Sequence, residues 1–212
     1  MIPFRAREAL AWTSGVLARG DAETPFTGVS TDSRADVAGK LFVALVGVRH
    51  DAHAFVEKAL AAGAAGVLVQ RAEAAPATSR AAVLVVPDTT LALGALAAGH
   101  RSGFSGPLVA ITGSNGKTTT KEMCAAILSV SGPCLKNRGN LNNNIGLPLT
   151  LLERDASHRT AVIEIGMNHR GEVAPLAAIA RPTVGVITNV GAAIRPSSAR
   201  WSMSRTAALQ AT

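Results

Sequence analysis

Short apolar runs alternate with amphipathic, helix-like stretches along the first hundred residues. The runs LFVAL (41–45), GVLVQ (66–70) and VLVV (83–86) have the length and composition of buried strands. Apolar residues recur at helical spacing in HAFVEKALAAG (53–63) and TLALGALAAGHR (90–101), and a glycine stands at or just after each C-terminal end. This alternation predicts a mixed or parallel sheet that is covered by helices.

The segment RSGFSGP (101–107), rich in Gly, Ser and Pro, interrupts this alternation, and we place a domain boundary there. The pattern then restarts, with strands expected at 108–112, 158–166 and 183–190 and helices at 117–130 and 171–180. Apolar strands joined by crossover helices are typical of a buried parallel sheet. The sequence therefore predicts an α/β protein, with a small mixed-sheet domain at 1–105 and an incomplete parallel-sheet domain of the P-loop type at 106–193.

Composition narrows the class of protein. Of the 212 residues 48% are hydrophobic, which is enough for one large or two small cores. Cys124 and Cys134 are too few for a disulfide framework, so we expect reduced core thiols in a cytoplasmic protein. The N-terminus lacks the apolar region of a signal peptide, and no apolar run is long enough to cross a membrane.

The formal net charge of +7 raises the question of nucleic-acid binding. The chain has only five lysines, its basic residues are scattered, and no acidic residue follows Glu172. A basic groove for a phosphorylated small molecule needs only a few cations. We therefore expect neither nucleic-acid nor membrane partners, and a monomer.

The stretch LVAITGSNGKTTTKEM (108–123) carries the strongest candidate chemistry. A strand that runs through a glycine-rich turn into a helix directs backbone N–H groups and the positive helix terminus at one point, which makes a phosphate site. Lys117 would face the β and γ phosphates and the Thr118 hydroxyl would reach Mg²⁺. The candidate nucleotide-binding residues are Gly113, Ser114, Asn115, Gly116, Lys117, Thr118 and Thr119.

The loop departs from the standard P-loop pattern, because Ile111 stands where that pattern has its first glycine. The next strand supplies an acidic residue, Glu164, near its C-terminal end in AVIEIG (161–166). A carboxylate beside a phosphate loop normally serves the nucleotide's Mg²⁺, although it could also cap the following turn. We therefore take Lys117 and Glu164 as candidate catalytic residues, and Thr118 and Glu164 as candidate metal ligands.

Five asparagines crowd the segment KNRGNLNNNIGLPLTLL (136–152), which leads into an apolar helix. A single asparagine suffices as a helix cap, so the excess suggests a polar binding surface near the γ-phosphate. A turn with one cap is the alternative, because asparagine is common in turns. The candidate binding residues here are Asn140, Asn142 and Asn143.

Taken together, these motifs resemble the Mur ligases of bacterial cell-wall synthesis. TGSNGKTT (112–119) is similar to that family's ATP loop, and STDSRADVAGKLFVALVG (30–47) resembles its UDP-sugar-binding segment, with HDAHAF (50–55) after it. GNLNNNIGLPLTLL (139–152) and VIEIGMNHRGEV (162–173) look most like the members that add D-alanyl-D-alanine. The resemblance runs from the N-terminus to about residue 191 or 193.

This resemblance implies a reaction in peptidoglycan precursor synthesis, with ATP and Mg²⁺ as cofactors. ATP would phosphorylate the terminal carboxylate of UDP-N-acetylmuramoyl-tripeptide, and the amine of D-alanyl-D-alanine would attack the acyl phosphate. The 1–105 domain would bind the UDP-sugar and the 106–193 domain the ATP. The resemblance assigns Thr31, Ser33 and Arg34 to the uridine diphosphate, with Asp51 and His53 supporting that pocket. By themselves, the residues around Arg34 also fit a solvated turn.

The resemblance fails after ITNVG (187–191). The family would continue with a metal-binding His, a Lys-bearing helix and a further domain, whereas Ile194 follows here and no Lys comes later. We expect residues 194–212 to be an aberrant, disordered tail produced by a reading-frame shift. Two further hypotheses therefore stay open: a fragment that only binds UDP-sugar or ATP, and a folylpolyglutamate-synthase-like amide ligase, which the Asn-rich and DSR (32–34) segments disfavour.

Overall fold

The computed structural model describes residues 1–47, 50–167, 169 and 171–191. Within them the chain forms a two-stranded, a five-stranded and a four-stranded sheet with flanking helices. The strands are β1 (Phe4–Arg5), β2 (Val16–Arg19), β3 (Pro25–Phe26), β4 (Val29–Ser30), β5 (Leu41–Val43), β6 (Gly66–Val69), β7 (Ala82–Val85), β8 (Leu108–Thr112), β9 (Cys134–Lys136), β10 (Thr160–Glu164) and β11 (Val184–Ile187). The helices are α1 (Ala6–Thr13), α2 (Val56–Ala61), α3 (Thr89–Ser102), α4 (Lys117–Ser129), α5 (Gly146–Leu152) and α6 (Val173–Ala180).

The five-stranded sheet has the order β2-β7-β6-β5-β4. Four of its strands run parallel, and β2 pairs antiparallel with β7, so the sheet is mixed as predicted. Strands β5 and β6 are entirely buried, which explains their continuous apolar runs. The carboxyl ends of β4, β5 and β6 lie side by side at one edge of this sheet.

The four-stranded sheet is parallel throughout and has the order β11-β8-β10-β9. Its central strands β8 and β10 are the apolar runs that the sequence predicts on either side of the Asn-rich segment. The register pairs Glu164, the last residue of β10, with Ile111 of β8. The carboxyl end of β10 is thereby placed directly beside the phosphate loop.

The structure confirms the α/β class and nearly all of the predicted elements, with differences at their ends. The helix expected at 53–63 consists of a 3₁₀ turn, Ala52–Phe55, followed by the shorter α2. Helix α1 and the strands β1 to β4 and β9 were not predicted; of these, β1, β3 and β4 have only two residues each, too few to show a pattern. The cysteines are free as expected, but both are half-buried at the margin of an apolar cluster instead of inside a core.

Helix α3 packs against helices from both halves of the chain. It contacts α1 on one side and α5 and α6 on the other. One apolar cluster accordingly runs from Phe26 and Leu41 in the N-terminal half to Leu108 and Ile163 in the parallel sheet. The buried Arg101 strengthens this junction by donating hydrogen bonds to main-chain oxygens at the end of α6. The division at residue 105 stays a prediction.

The expected tail, residues 194–212, lies outside the described residues. Among the residues that are described, no helix is both long and apolar enough to cross a membrane.

Candidate functional site

The phosphate-loop candidate connects β8 to α4 through four residues. Gly113 has φ 138° and Gly116 has φ 78°, backbone conformations that side chains with a Cβ rarely adopt. A Cβ on Gly113 would lie only 2.2 Å from Oγ1 of Thr188, whereas a Cβ on Gly116 would meet open space. The loop delivers the chain into the N-terminus of a 13-residue helix, where free N–H groups attract anions.

The loop is fixed to the carboxyl end of β11. The Asn115 N–H donates to Oδ1 of Asn189 at 2.8 Å, and the Thr188 hydroxyl donates to the Asn115 carbonyl at 2.6 Å. The Ser114 N–H donates to the Asn189 carbonyl, and its hydroxyl contacts the main chain of Gly191. Sequence analysis assigned no role to Thr188 or Asn189; their signal was a polar pair directly after an apolar strand.

Lys117, the first residue of α4, extends over the loop. Its Nζ donates to the carbonyl oxygens of Gly113 at 2.7 Å and Ser114 at 3.3 Å. The ammonium is thus held at the same point to which the loop and the helix N-terminus are directed. Thr119 lies exposed on the first turn of α4.

Glu164 is the centre of a hydrogen-bonded cluster at the end of β10. It is only 3% exposed, which makes every partner of its carboxylate energetically important. Oε2 accepts a hydrogen bond from the Thr118 hydroxyl at 2.9 Å, and Oε1 accepts one from the Asn142 amide at 2.8 Å. The structure therefore brings the two candidate metal ligands together, as the sequence predicts.

The chemistry of this cluster fits Mg²⁺. The hydroxyl of Thr118 and the carboxylate of Glu164 are hard oxygen donors, the type that Mg²⁺ prefers. No group of three or more His, Cys, Asp or Glu side chains that could hold a metal occurs among the described residues. A complete protein cage is not needed, because Mg²⁺ in nucleotide sites takes most of its ligands from phosphates and water.

Asn137, which is fully buried, holds the main chain of Glu164 in place. Its Oδ1 accepts from the Glu164 N–H at 2.9 Å, and its Nδ2 donates to the Glu164 carbonyl at 2.8 Å. The same amide group also donates to the carbonyl of Leu141. Asn137 therefore has a structural role, and it fixes the strand end together with the Asn-rich loop.

The three asparagines proposed for binding have different environments. Asn142 is hydrogen-bonded to the carboxylate of Glu164, so it belongs to the cluster. Oδ1 of Asn143 accepts the N–H groups of Ile145 and Gly146 at the start of α5, which is the capping role that sequence analysis kept as an alternative. Asn140 is exposed at the turn of the loop. Ligand binding by these asparagines stays a prediction.

A second group of predicted residues lies after β4. Asp32 and Arg34 form a paired interaction, with Nε and Nη2 of Arg34 each 2.9 Å from a different carboxylate oxygen. The Arg34 side chain, and then its N–H, lower the pKa of Asp32 to about 2. Arg34 is exposed, while Thr31 and Ser33 are half-buried beside it.

Asp51 and His53 lie after β5, next to the end of β6. The Gln70 N–H donates to Nε2 of His53 at 2.9 Å, so the imidazole proton is on Nδ1 and faces Oδ1 of Asp51 at 2.5 Å. Arg71 donates to the other Asp51 oxygen at 2.8 Å. The Arg71 hydrogen bond is the main cause that holds the pKa of Asp51 well below its usual range, followed by those from His53.

The predicted site residues thus form two groups, one at the carboxyl edge of each large sheet. Ligands of open α/β sheets bind at this edge, in the crevice beyond the strand ends. Arg71 was missed by sequence analysis, since a single Arg after a strand has no distinguishing pattern. Lys121, a buried lysine of α4 that contacts the Glu164 cluster, was missed as well.

Comparisons with known proteins cover both groups. Residues 25–101 match the catalytic domain of the Mur ligase family, and residues 111–193 match the Mur ligase middle domain. The UDP-N-acetylmuramoyl-tripeptide–D-alanyl-D-alanine ligase of Synechocystis sp. is 48% identical over 165 residues, which are 78% of this chain and 36% of that protein.

Solved structures agree with this relationship. A crystal structure of MurF from Acinetobacter baumannii superposes with a TM-score of 0.82 at 42% identity, covering 90% of this chain and 42% of that one. MurF ligase from Thermotoga maritima in complex with ADP has a TM-score of 0.69 at 34% identity and covers 78% of this chain and 38% of that one.

The chain spans about two fifths of the length of these relatives. Two models of one family match successive parts of the chain, and the middle-domain match includes the phosphate-loop candidate and Glu164. The chain therefore belongs to the Mur ligase family.

Proposed function

We propose that this chain works as an ATP-dependent ligase that joins D-alanyl-D-alanine to UDP-N-acetylmuramoyl-tripeptide in peptidoglycan precursor synthesis. The observation that carries the proposal is the 2.9 Å hydrogen bond between Thr118 and Glu164 beside a glycine-rich loop and Lys117. That arrangement supports binding of a nucleoside triphosphate with its Mg²⁺. The similarity to MurF ligases supports the identity of the substrates.

The reaction has two steps and needs no reactant besides ATP, the tripeptide and D-alanyl-D-alanine. A carboxylate oxygen of the tripeptide attacks the γ-phosphorus of ATP, and ADP leaves. The amine of D-alanyl-D-alanine then attacks the acyl carbon, a proton leaves the nitrogen, and inorganic phosphate departs. The first step needs negative charge to be neutralised at the transferring phosphoryl group, and the second needs it at the tetrahedral oxyanion and the departing phosphate.

The residues of the loop provide that neutralisation. The Lys117 ammonium and the N–H groups of the first turn of α4 are directed at the site of the phosphates, where their fixed positions avoid reorganisation during transfer. The N–H groups of Ser114 and Asn115 are bonded to Asn189 and hold the loop in place. Thr118 and Glu164 would hold Mg²⁺, which supplies positive charge to the β and γ phosphates when bound. Asn142 keeps one carboxylate oxygen of Glu164 oriented, leaving the other directed at Thr118.

The N-terminal sheet would bind the uridine diphosphate end of the substrate. Thr31, Ser33 and Arg34 follow β4 at the carboxyl edge, and the exposed guanidinium of Arg34 suits a phosphate. Both ring nitrogens of His53 are engaged within the protein, so His53 and Asp51 support the wall of this site instead of contacting the ligand. The exposed Arg71 adds a further cation there.

A second candidate function is binding of UDP-sugar and ATP without ligation. It requires only the two groups of candidate residues at the carboxyl edges of the two large sheets. The two candidates differ in a single assay of the 212-residue chain. Release of ADP and phosphate that depends on both the UDP-tripeptide and D-alanyl-D-alanine supports the ligase, whereas binding of both ligands without turnover supports the binding module.

The nucleotide assignment has its own test. Lys117→Ala should abolish ATP binding in titration calorimetry, because it removes the cation held over the loop. Lys136→Ala is the matched control, since Lys136 is an exposed lysine at the end of β9 and should leave the affinity unchanged. Equal ATP affinity of Lys117→Ala and the wild-type chain would contradict the assignment.

A further inference from the structure

Lys121 lies one turn after Lys117 in α4 and is completely buried, with no exposed surface. Its Nζ donates a hydrogen bond to the carbonyl of Asn137 at 2.9 Å. The same nitrogen lies 3.1 Å from Oε1 of Glu122 and 4.0 Å from Oε2 of Glu164. A buried ammonium is costly unless it is paired, so a lysine at this position requires a physical explanation.

Helix geometry directs the side chains of Lys121 and Thr118 toward the same carboxylate, that of Glu164. Residues three apart lie on one face of a helix, so α4 presents the Thr118 hydroxyl and the Lys121 ammonium to the same carboxylate. Both groups approach Oε2 of Glu164, Thr118 at 2.9 Å and Lys121 at 4.0 Å. Lys121 makes its short hydrogen bond elsewhere, so it supplies charge to Glu164 without occupying the oxygen that would face Mg²⁺.

The main-chain contact extends the same link to the Asn-rich loop. Lys121 holds the carbonyl of Asn137, and the side chain of Asn137 holds both main-chain polar groups of Glu164. One side chain of α4 thereby connects the phosphate-loop helix, the segment after β9 and the end of β10. Displacement of Lys121 would release the carboxylate from both its charge partner and its main-chain support.

We propose that Lys121 is a positioning residue that holds the Glu164 carboxylate in place for the Mg²⁺ of a bound nucleotide. This inference rests on the proposed function, because it concerns the same nucleotide site. Lys121 itself would contact neither the nucleotide nor the metal. It acts through Glu164 and Asn137, so its removal should weaken the contribution of Mg²⁺ to nucleotide binding more than nucleotide binding itself.

The experiment compares the affinity for a non-hydrolysable ATP analogue with Mg²⁺ and with EDTA, by titration calorimetry on the full chain. In the Lys121→Met variant the Mg²⁺-dependent gain in affinity should fall by about 10–100-fold, the usual effect of losing an outer-sphere partner of a metal ligand. The affinity in EDTA should stay near the wild-type value, because Lys117 and the loop are untouched. A purely structural role would weaken both affinities alike.

Lys136→Met is the matched control. Lys136 pairs with Glu122 as Lys121 does, but it is exposed and its contact is with Glu122, outside the Glu164 cluster. Its Mg²⁺-dependent gain should equal that of the wild-type chain. An unchanged gain in folded Lys121→Met overturns the inference alone, whereas failure of the wild-type chain to bind the analogue overturns the proposed function, and the inference with it.

A measurement on the wild-type chain keeps the inference testable if Lys121→Met does not fold. The chain has five lysines, so a ¹⁵N spectrum of lysine ammonium groups can be assigned by elimination with Lys→Arg variants of the other four. The Lys121 signal should move when Mg²⁺ is added to the analogue-bound chain, and the Lys136 signal should not. A Lys121 signal that ignores Mg²⁺ overturns the inference.

Discussion

Each of the two large sheets places polar side chains at its own carboxyl edge, but the two groups are held in different ways. At the N-terminal sheet, Asp32 is paired with Arg34 two residues away, and both are solvent-exposed. At the parallel sheet, Glu164 is buried and is held by residues from α4 and from the Asn-rich loop. Proximity in sequence organises the Asp32–Arg34 pair, and tertiary packing organises the Glu164 cluster.

The difference predicts how each group responds to change. An exposed pair is screened by water and contributes little to folding, so its residues can be exchanged at small cost. In a buried cluster, a polar group whose partner is removed has no water to bond with, so each substitution lowers the free energy of unfolding strongly. His53 is the exception in the N-terminal half, because it is buried and bonded through both ring nitrogens.

The largest effect is expected at Asn137. Asn137→Ala leaves the buried N–H and carbonyl of Glu164 without partners, and each such group costs about 1–3 kcal/mol. The free energy of unfolding, measured in urea, should therefore fall by about 2–6 kcal/mol. The exposed Asn144→Ala is the control and should change it little. A loss in Asn137→Ala as small as in the control would contradict tertiary packing as the organiser of this site.

Gly113→Ala should have the next largest effect. Alanine is strained at φ 138°, and its Cβ would overlap Oγ1 of Thr188. We therefore expect the free energy of unfolding to fall by about 2–3 kcal/mol. The affinity for ATP should fall as well, because the loop is displaced. Gly116→Ala separates the two causes, because it has a positive φ of 78° but open space around the new Cβ. Thermal unfolding and calorimetry should rank Gly113→Ala as the more damaging variant; the reverse ranking would refute the close approach to β11.

His53→Ala tests the exception in the N-terminal half. The variant leaves the Gln70 N–H without its acceptor, so the free energy of unfolding should fall by about 1–2 kcal/mol. His50→Ala, an exposed histidine nearby, should be neutral. Indistinguishable stabilities of the two variants would show that burial of His53 contributes nothing.

Arg34→Ala should have the smallest effect on stability and a clear effect on titration. The pKa of Asp32, lowered to about 2 by Arg34, should return toward its ordinary value of 3.8. Because the folded-state pKa is depressed, the contribution of the pair is present above about pH 4 and is lost as the pH falls toward 2. A carboxyl NMR titration measures this, and Lys58→Ala, the weaker charge partner, should shift the pKa less.

Sequence patterns were sufficient to predict the alternating strands and helices and the glycine turn between β8 and α4. The apolar runs located β8, β10 and β11, and the glycine turn indicated the phosphate-loop candidate with Lys117 and Thr118. Glu164 was predicted as a metal ligand because an acidic residue at the end of an apolar strand is rarely left without a function. The pattern that indicates each of these residues is local, although the partners that hold Glu164 come from other segments.

Lys121 and Asn137 could not be predicted, because their burial is produced by segments that meet only in the folded chain. A lysine in the polar first half of α4 has the pattern of an exposed residue, and nothing local indicates that the segment after β9 covers it. Asn137 was counted among five similar asparagines. Its burial and its hydrogen bonds to Glu164 distinguish this residue from the exposed Asn140 and Asn144.

Helix α3 has a consequence for how the molecule responds to its ligands. Because α3 packs on helices of both halves and one apolar cluster crosses the boundary, neither half can unfold without exposing the surface of the other. We therefore expect unfolding to be cooperative over the described residues, so that a ligand bound at either sheet stabilises both by mass action. A nucleotide bound only at the phosphate loop would therefore slow hydrogen exchange in strands β5 and β6, which it never touches.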